Sequence, residues 1–211
     1  MLDIPKIKQE LVVFLRNQDI LSTTERGVTT TNATGTVNGT TITINRTNVK
    51  NIRYVKVGGT TKKFGSEWTA DYNHANGCVI TFASSQSGNY DVEYDYGSDK
   101  IYPDFPRDDL SINSYPRIAV EVLNANEQPF GIGGTKFISD VTFTVIVYYY
   151  KTNVIDQLIQ DITDAFKANA KSFYYLSYVA PGITGPLIVS SNRSNEIMQR
   201  NKDFVGRFNT S

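Results

Sequence analysis

FISDVTFTVIVYYYKTNVIDQLIQDITDAFKA, residues 137–168, sets a strand directly against a helix. Its first half, Phe137 to Lys151, is long, β-branched and aromatic, which suits a central strand covered over much of its length. In the second half Val154, Ile155, Leu158, Ile159, Ile162, Ala165 and Phe166 recur at spacings of three and four and make one apolar stripe. Asn153 is placed to cap this helix. Asp156 lies early and Lys167 and Lys171 late, as the helix macrodipole favours. A covered strand feeding an amphipathic helix calls for a sheet with the helix laid on it.

Arg117 to Leu123 reads as a further strand, and Asn124 to Thr135 (NANEQPFGIGGT) as a Gly-rich loop between the two. Upstream, Ile101 to Val122 (IYPDFPRDDLSINSYPRIAVEV) holds Pro103, Pro106 and Pro116, each of which biases the residue before it away from helix. This stretch is a stiff, extended joint. Downstream, Tyr174 to Val179 and Leu187 to Ser190 are strand candidates around Pro181-Gly182, and the charged tail from Asn195 to Phe208 is suited to pairing with a neighbour. At the other end Ile4, Ile7, Leu11, Val12, Phe14 and Leu15 predict a helix over 4–17, with Asp3 as cap and Pro5 tolerated in its first turn.

Between that helix and the joint the texture changes. Ser22 to Gly35 is a Thr-rich extended connection, and from Thr36 to Gly97 the period is two with dense turn residues. Val37-Asn38-Gly39-Thr40 predicts a type I′ hairpin. Gly58-Gly59 separates Ile52–Val57 from Thr60–Phe64, Asn76-Gly77 separates Trp68–Tyr72 from Cys78–Phe82, and Ser87-Gly88-Asn89 precedes a last strand. There Tyr90, Val92, Tyr94 and Tyr96 alternate with Asp91, Glu93 and Asp95, which predicts a buried aromatic face and a wet acidic one. About six short strands at this spacing suggest a small β-sandwich or barrel. The fold expected is therefore α+β: a mixed sheet packed by two helices from residues 1–27 and 101–211, with a β-rich module, 28–100, inserted.

Composition excludes more than it names. Lys+Arg and Asp+Glu both number 21, so the net charge is zero and no basic excess argues for a nucleic-acid or anionic membrane footprint. The single Cys, Cys78, has no partner for an intramolecular disulfide and sits among Val79, Ile80 and Phe82 like a small apolar residue. Charges interrupt the apolar residues of the N-terminal stretch, unlike a signal peptide, and no run approaches the roughly 20 apolar residues of a membrane span. A soluble protein made in the cytoplasm is expected.

Motifs of chemistry are sparse. Gly131, Gly133 and Gly134 resemble a fragment of a phosphate loop, but a strand follows them where a helix N-terminus is needed, so a hairpin loop is the better reading. Asp104, Asp108 and Asp109 match no Ca²⁺-loop spacing and have Arg107 among them. His74 and Cys78 fall short of the about four ligands of a zinc site, and nothing marks them as a nucleophile and its base. No carboxylate pair is marked for hydrolysis. Trp68 and Tyr72 allow a sugar-stacking platform, although a lone Trp in a small β module is more often core. No catalytic residue, cofactor or metal ligand is expected.

The order helix, strand (SYPRIAVEVL), Gly-containing loop, long strand (FISDVTFTVIVYYYK) and helix (NVIDQLIQDITDAFKA) resembles the tail terminator, or tail completion, proteins of long-tailed phages and related viruses. The resemblance covers residues 1 to about 25 and about 112 to 211, and the β-rich module departs from it. It implies a structural, non-enzymatic virion protein at the tail–neck junction, a homo-oligomeric, hexameric ring that caps the tail tube. Its partners would be further copies of itself, the major tail (tube) protein and the head–tail connector or neck protein, with genomic DNA passing through the lumen without specific binding. On that reading Arg107, Asp108, Asp109, Phe130, Gly131, Gly133, Gly134, Arg200, Phe204 and Arg207 are candidates for subunit or tail contacts. The competing readings are another neck or head-completion protein, a β-sandwich adhesin or carbohydrate-binding module using Trp68 and Tyr72, and, last, a hydrolytic enzyme with a carboxylate cleft.

Overall fold

The computed structural model describes residues 3–74, 77–103, 115–129, 137–192 and 195–208. The element order is α1 (Ile4–Asn17), α2 (Thr23–Arg26), β1 (Val28–Ile44), β2 (Val49–Val57), β3 (Thr60–Lys62), β4 (Trp68–His74), β5 (Gly77–Gly97), β6 (Ile101–Tyr102), β7 (Arg117–Pro129), β8 (Phe137–Tyr149), α3 (Thr152–Ala168), β9 (Leu176–Thr184), β10 (Ile188–Asn192) and β11 (Asn195–Phe208). The chain is mostly β with few helices, and divides into two units: Met1–Ile20 with Lys100–Ser211, and Leu21–Asp99.

In the first unit β8 is paired on both sides, by β7 and by β11. Val141, Phe143, Val145 and Val147 are fully buried with Ser139 of the same set buried beside them, and Thr144 and Ile146 of the alternate set are buried too. A strand covered on both faces is what the β-branched, aromatic run 137–151 predicts. β6 runs parallel to β7 and every other pair in this sheet is antiparallel, so the sheet is mixed. The helices meet over the face that carries Phe143. Phe14 of α1 lies 4.9 Å from both Phe166 of α3 and Phe173, and Phe166 lies 5.5 Å from Phe143 and 4.5 Å from Phe204. Asp3 caps α1 by accepting from the Lys6 amide. The cap expected of Asn153 is not made: α3 starts at Thr152 behind Lys151, which makes no side-chain cap, and burial of Ile155, Leu158, Ile162 and Phe166 holds the helix instead.

The second unit is one antiparallel sheet built on two long strands. β1 and β5 pair from Val28↔Gly97 to Ile44↔Cys78. The other side of β5 is shared, with β2 along its second half and β4 along its first. The expected hairpin at Asn38-Gly39 does not form. β1 runs straight through it, Asn38 and Gly39 face Ser87 and Gln86 of β5, and the register shifts between Gly39 and Thr41. Gly39 has φ 141°, so the freedom read as a reversal serves a bulge. The ladder to β5 continues on both sides of that bulge and outweighs the local turn preference. Gly58-Gly59 does turn the chain, with Val57 paired to Thr60 and both glycines at positive φ, as a two-residue hairpin needs.

The alternation along β5 also has an exception. Val92 and Tyr94 are buried as predicted, but Asp95, expected to be wet, is fully buried. Arg26, also fully buried, donates from Nη1 to Asp95 Oδ2 (3.0 Å) and from Nε and Nη2 to Asp99 (3.2 and 2.6 Å). Arg53 Nε and Thr30 Oγ1 donate to Asp95 Oδ1 at 2.8 and 2.7 Å. A Ser22–Glu25 capping box and Gly27 in the left-handed region fix the single turn that presents Arg26. Arg26 and Asp99 thus belong to the β unit, whose limits lie earlier in the chain than the change of texture at 28 and 100 suggests.

Candidate assembly surface

β9 and β10 follow one another along the same side of β11 and form an outer strand of the first unit's sheet. β9 buries Leu176 and Val179 and turns Tyr178 and Ile183 outward, and β10 exposes Ile188 and Val189. Ile183 is 76% exposed and Val189 53%. On β11, Val205, paired with Ala180, is exposed as well. Residues 176–192 contain no Asp, Glu, Lys or Arg, in a chain with 20% charged residues. Outer strands usually carry charge to block edge pairing; this one carries none and adds apolar side chains.

The strand is fixed from beneath. Lys202 Nζ donates to the Gly182 carbonyl (2.8 Å) and to Thr184 Oγ1 (3.0 Å), and the Gly185 amide donates to the Asn201 carbonyl (2.9 Å). These bonds hold the segment between β9 and β10 across the register shift at Lys202/Phe204. At the opposite side of the sheet, β6 covers β7 only at Ile118 and Ala119. Beyond them, among the described residues, β7 has a ladder partner on one side alone, and Leu123 is exposed. Among the described residues the sheet therefore ends in two edges with no further ladder partner, β7 beyond Ala119 and β9–β10, the latter met near its start by the Val179 amide donating to the Ala170 carbonyl (2.8 Å).

The residues proposed from sequence for subunit contacts fall differently. Arg107, Asp108, Asp109, Phe130, Gly131, Gly133 and Gly134, and Asp104 with them, lie outside the described residues. Phe204 is a correction: it is fully buried, stacked on Phe143 at 5.3 Å, and belongs to the core. The tail that carries it is β11, an interior strand, in which Phe204 completes the Phe143–Phe166 layer. Arg200 is tied to Asp156 of α3, whereas Arg207 is exposed beside Asp140, at 3.2 Å. In the second unit Trp68 is 3% exposed and donates its indole N–H to the Lys62 carbonyl (3.0 Å), with Phe64 edge-on at 5.0 Å. It is a core residue and offers no stacking face; Tyr72 packs half-buried against the same core.

His74 ends β4 and Cys78 is buried in β5. Burial, and then the charge of Asp71, pushes the Cys78 thiol up to about 12, which suits an apolar filler and not a nucleophile. Among the described residues no group of three or more His, Cys, Asp or Glu side chains is arranged to hold a metal ion. No helix among them is long and apolar enough to cross a membrane. The chain matches no protein-family model and no curated protein. Sequence reading named strand candidates at Tyr174–Val179 and Leu187–Ser190; what it overlooked is that they form an outer strand, whose signal was present as the uncharged run 176–192.

Proposed function

We propose that the chain is a structural virion protein that assembles with copies of itself into a ring, capping the tail tube and joining it to the head connector. The observation that carries this reading is the uncharged outer strand β9–β10 with Tyr178, Ile183, Ile188 and Val189 exposed along it. An open edge of this kind accepts another strand by main-chain hydrogen bonds. With a second open edge at β7 in the same sheet, head-to-tail addition closes into a ring when the rotation permits. The order of elements in the first unit agrees with the tail terminator resemblance. The finer description of the fold, a tail-terminator-like core carrying an inserted module, is part of this proposal. So are the tube, connector and DNA partners and the tail–neck location.

Mass in solution, with negative-stain images, tests the proposal. The wild-type chain should form a ring of defined mass, and I183D/V189D should remain folded and monomeric. A monomeric wild-type protein at micromolar concentration would sink the ring, and a ring that survives both charges would show that β9–β10 is not its contact. The sugar-binding alternative loses its platform with Trp68 in the core and is not carried further.

A further inference from the structure

Arg117, at the start of β7, holds a buried charge with donors left unused at two of its three side-chain nitrogens. It is 8% exposed, and its Nε and Nη1 have no hydrogen-bond partner. Among the described residues the other buried arginines each reach an acceptor: Arg26 meets two carboxylates, and Arg16 Nη2 donates to the Ile101 carbonyl, although Arg16 Nε, like Arg117 Nε, has no hydrogen-bond partner. A buried guanidinium without countercharge is costly, and each unpaired donor adds to the cost.

Its surroundings are aromatic. The guanidinium lies 5.3 Å from the ring centre of Tyr102 on β6, and Tyr148 of β8 is its partner across the ladder. Tyr115, two positions before it, lies within reach of its charge. All three tyrosines are half-buried, so the rim of this cluster reaches solvent while Nε and Nη1 of the guanidinium do not. The cluster sits where β6 and β7 form the outer side of the sheet. A ring face offsets part of the charge but accepts no conventional hydrogen bond. A carboxylate does both, since its two oxygens match the planar fork of an arginine and can also accept from phenol O–H groups.

We propose that Arg117, with Tyr102, Tyr115 and Tyr148 around it, is a receptor for a carboxylate group presented by another polypeptide: an acidic side chain or a C-terminus. The first unit then binds an acidic partner segment at its β6–β7 edge, opposite in the sheet to β9–β10.

The test uses the full chain with sodium acetate as the probe, against sodium chloride at equal ionic strength. The side-chain Nε–H signal of Arg117, assigned by its loss in R117M, should shift saturably with acetate, and the thermal midpoint of wild type should rise by a few degrees. R117K, which keeps the charge without the fork, should lose most of that rise. If the signal does not move at saturating acetate, the proposal is wrong. It is equally wrong if acetate acts only on D104N/D108N/D109N, because the chain's own carboxylates would then fill the site. The wild-type titration stands even if R117M does not fold, since R117K serves for assignment.

Discussion

Arg26 and Asp99 stand 73 positions apart and meet at two points, Nε to Oδ1 at 3.2 Å and Nη2 to Oδ2 at 2.6 Å. Arg26 ends α2 and Asp99 follows β5, so the pair joins the segment that opens the second unit to the one that leaves it. Both side chains are buried, and removing either leaves an uncompensated charge. R26M or D99N should lower the stability of this unit by about 3–5 kcal/mol. Trp68 is the only tryptophan and lies in this unit's core, so its fluorescence during urea unfolding reads the effect directly. A loss below about 1 kcal/mol, the range of exposed pairs, would contradict a buried closure.

Asp95 ties acid sensitivity to the same unit. Burial pushes its carboxyl up, but hydrogen bonds from Arg53 and Thr30 and the charges of Arg26 and Arg53 outweigh this and hold it below the usual range. Its folded value lies under its unfolded value, so the unfolded chain binds the proton first. The stability it contributes is complete above about pH 4 and is lost as pH falls through the folded value. Urea midpoints from Trp68 should be flat above that point and decline below it. D95N should start lower and show a weaker decline.

These two residues also mark where sequence reading stops. The long strand at 137–149, the helices at 4–17 and 152–168 and the Gly58-Gly59 turn were legible because each is set by local period or local φ preference. Asp95 was not, because its parity in β5 places it with Asp91 and Glu93, and its burial is made possible by Arg26, Arg53 and Thr30, all from other elements. Asn38-Gly39 misleads for the same reason: the residues of β5 that face it, Ser87 and Gln86, lie 49 and 47 positions on, out of reach of any local window. Phe204 hides in a charged tail, and its place is decided by Phe143 and Phe166. Of the candidate assembly surface, the uncharged run was readable in residues 176–192, but which of its side chains face outward depends on β11.

Glu10 gives the first unit the opposite pH response. Its carboxylate accepts from the Tyr174 and Tyr175 amides, yet burial outweighs those bonds and pushes it up. Its folded value is above its unfolded one, so the folded state keeps the proton longer. The contribution is largest below about pH 4 and declines as pH rises through the folded value. The protection of the Tyr174 and Tyr175 amides from hydrogen exchange, taken relative to the intrinsic rate at each pH, should fall over that window in wild type. E10Q should remove this dependence.

Phe204 separates core from surface. Its truncation to Ala should cost about 3–5 kcal/mol and lower the thermal midpoint without any dependence on protein concentration. F204L should cost far less. A Phe204 acting at a subunit contact would instead leave the midpoint of the monomer unchanged and alter the mass.

Cys78 is a second reporter of the β unit. With its thiol pushed up to about 12 and its side chain inaccessible, it should resist iodoacetamide at pH 8 until the unit opens. Labelling against urea should then trace the Trp68 transition. Labelling that clearly precedes it would reveal a local opening of β5 near Gly77.

The place of β11 bears on synthesis. It is the last described strand to leave the ribosome, and it stands between β8 and the β9–β10 pair. Until residues 195–208 emerge, the uncharged outer strand has no ladder to join, and the half-made sheet presents the unpaired side of β8 to the cell. The β unit holds all its strands once Gly97 has been added. Nascent chains should therefore mature from the middle outward, and a chain cut short before Phe204 would expose its stickiest strands to chaperones, proteases and one another.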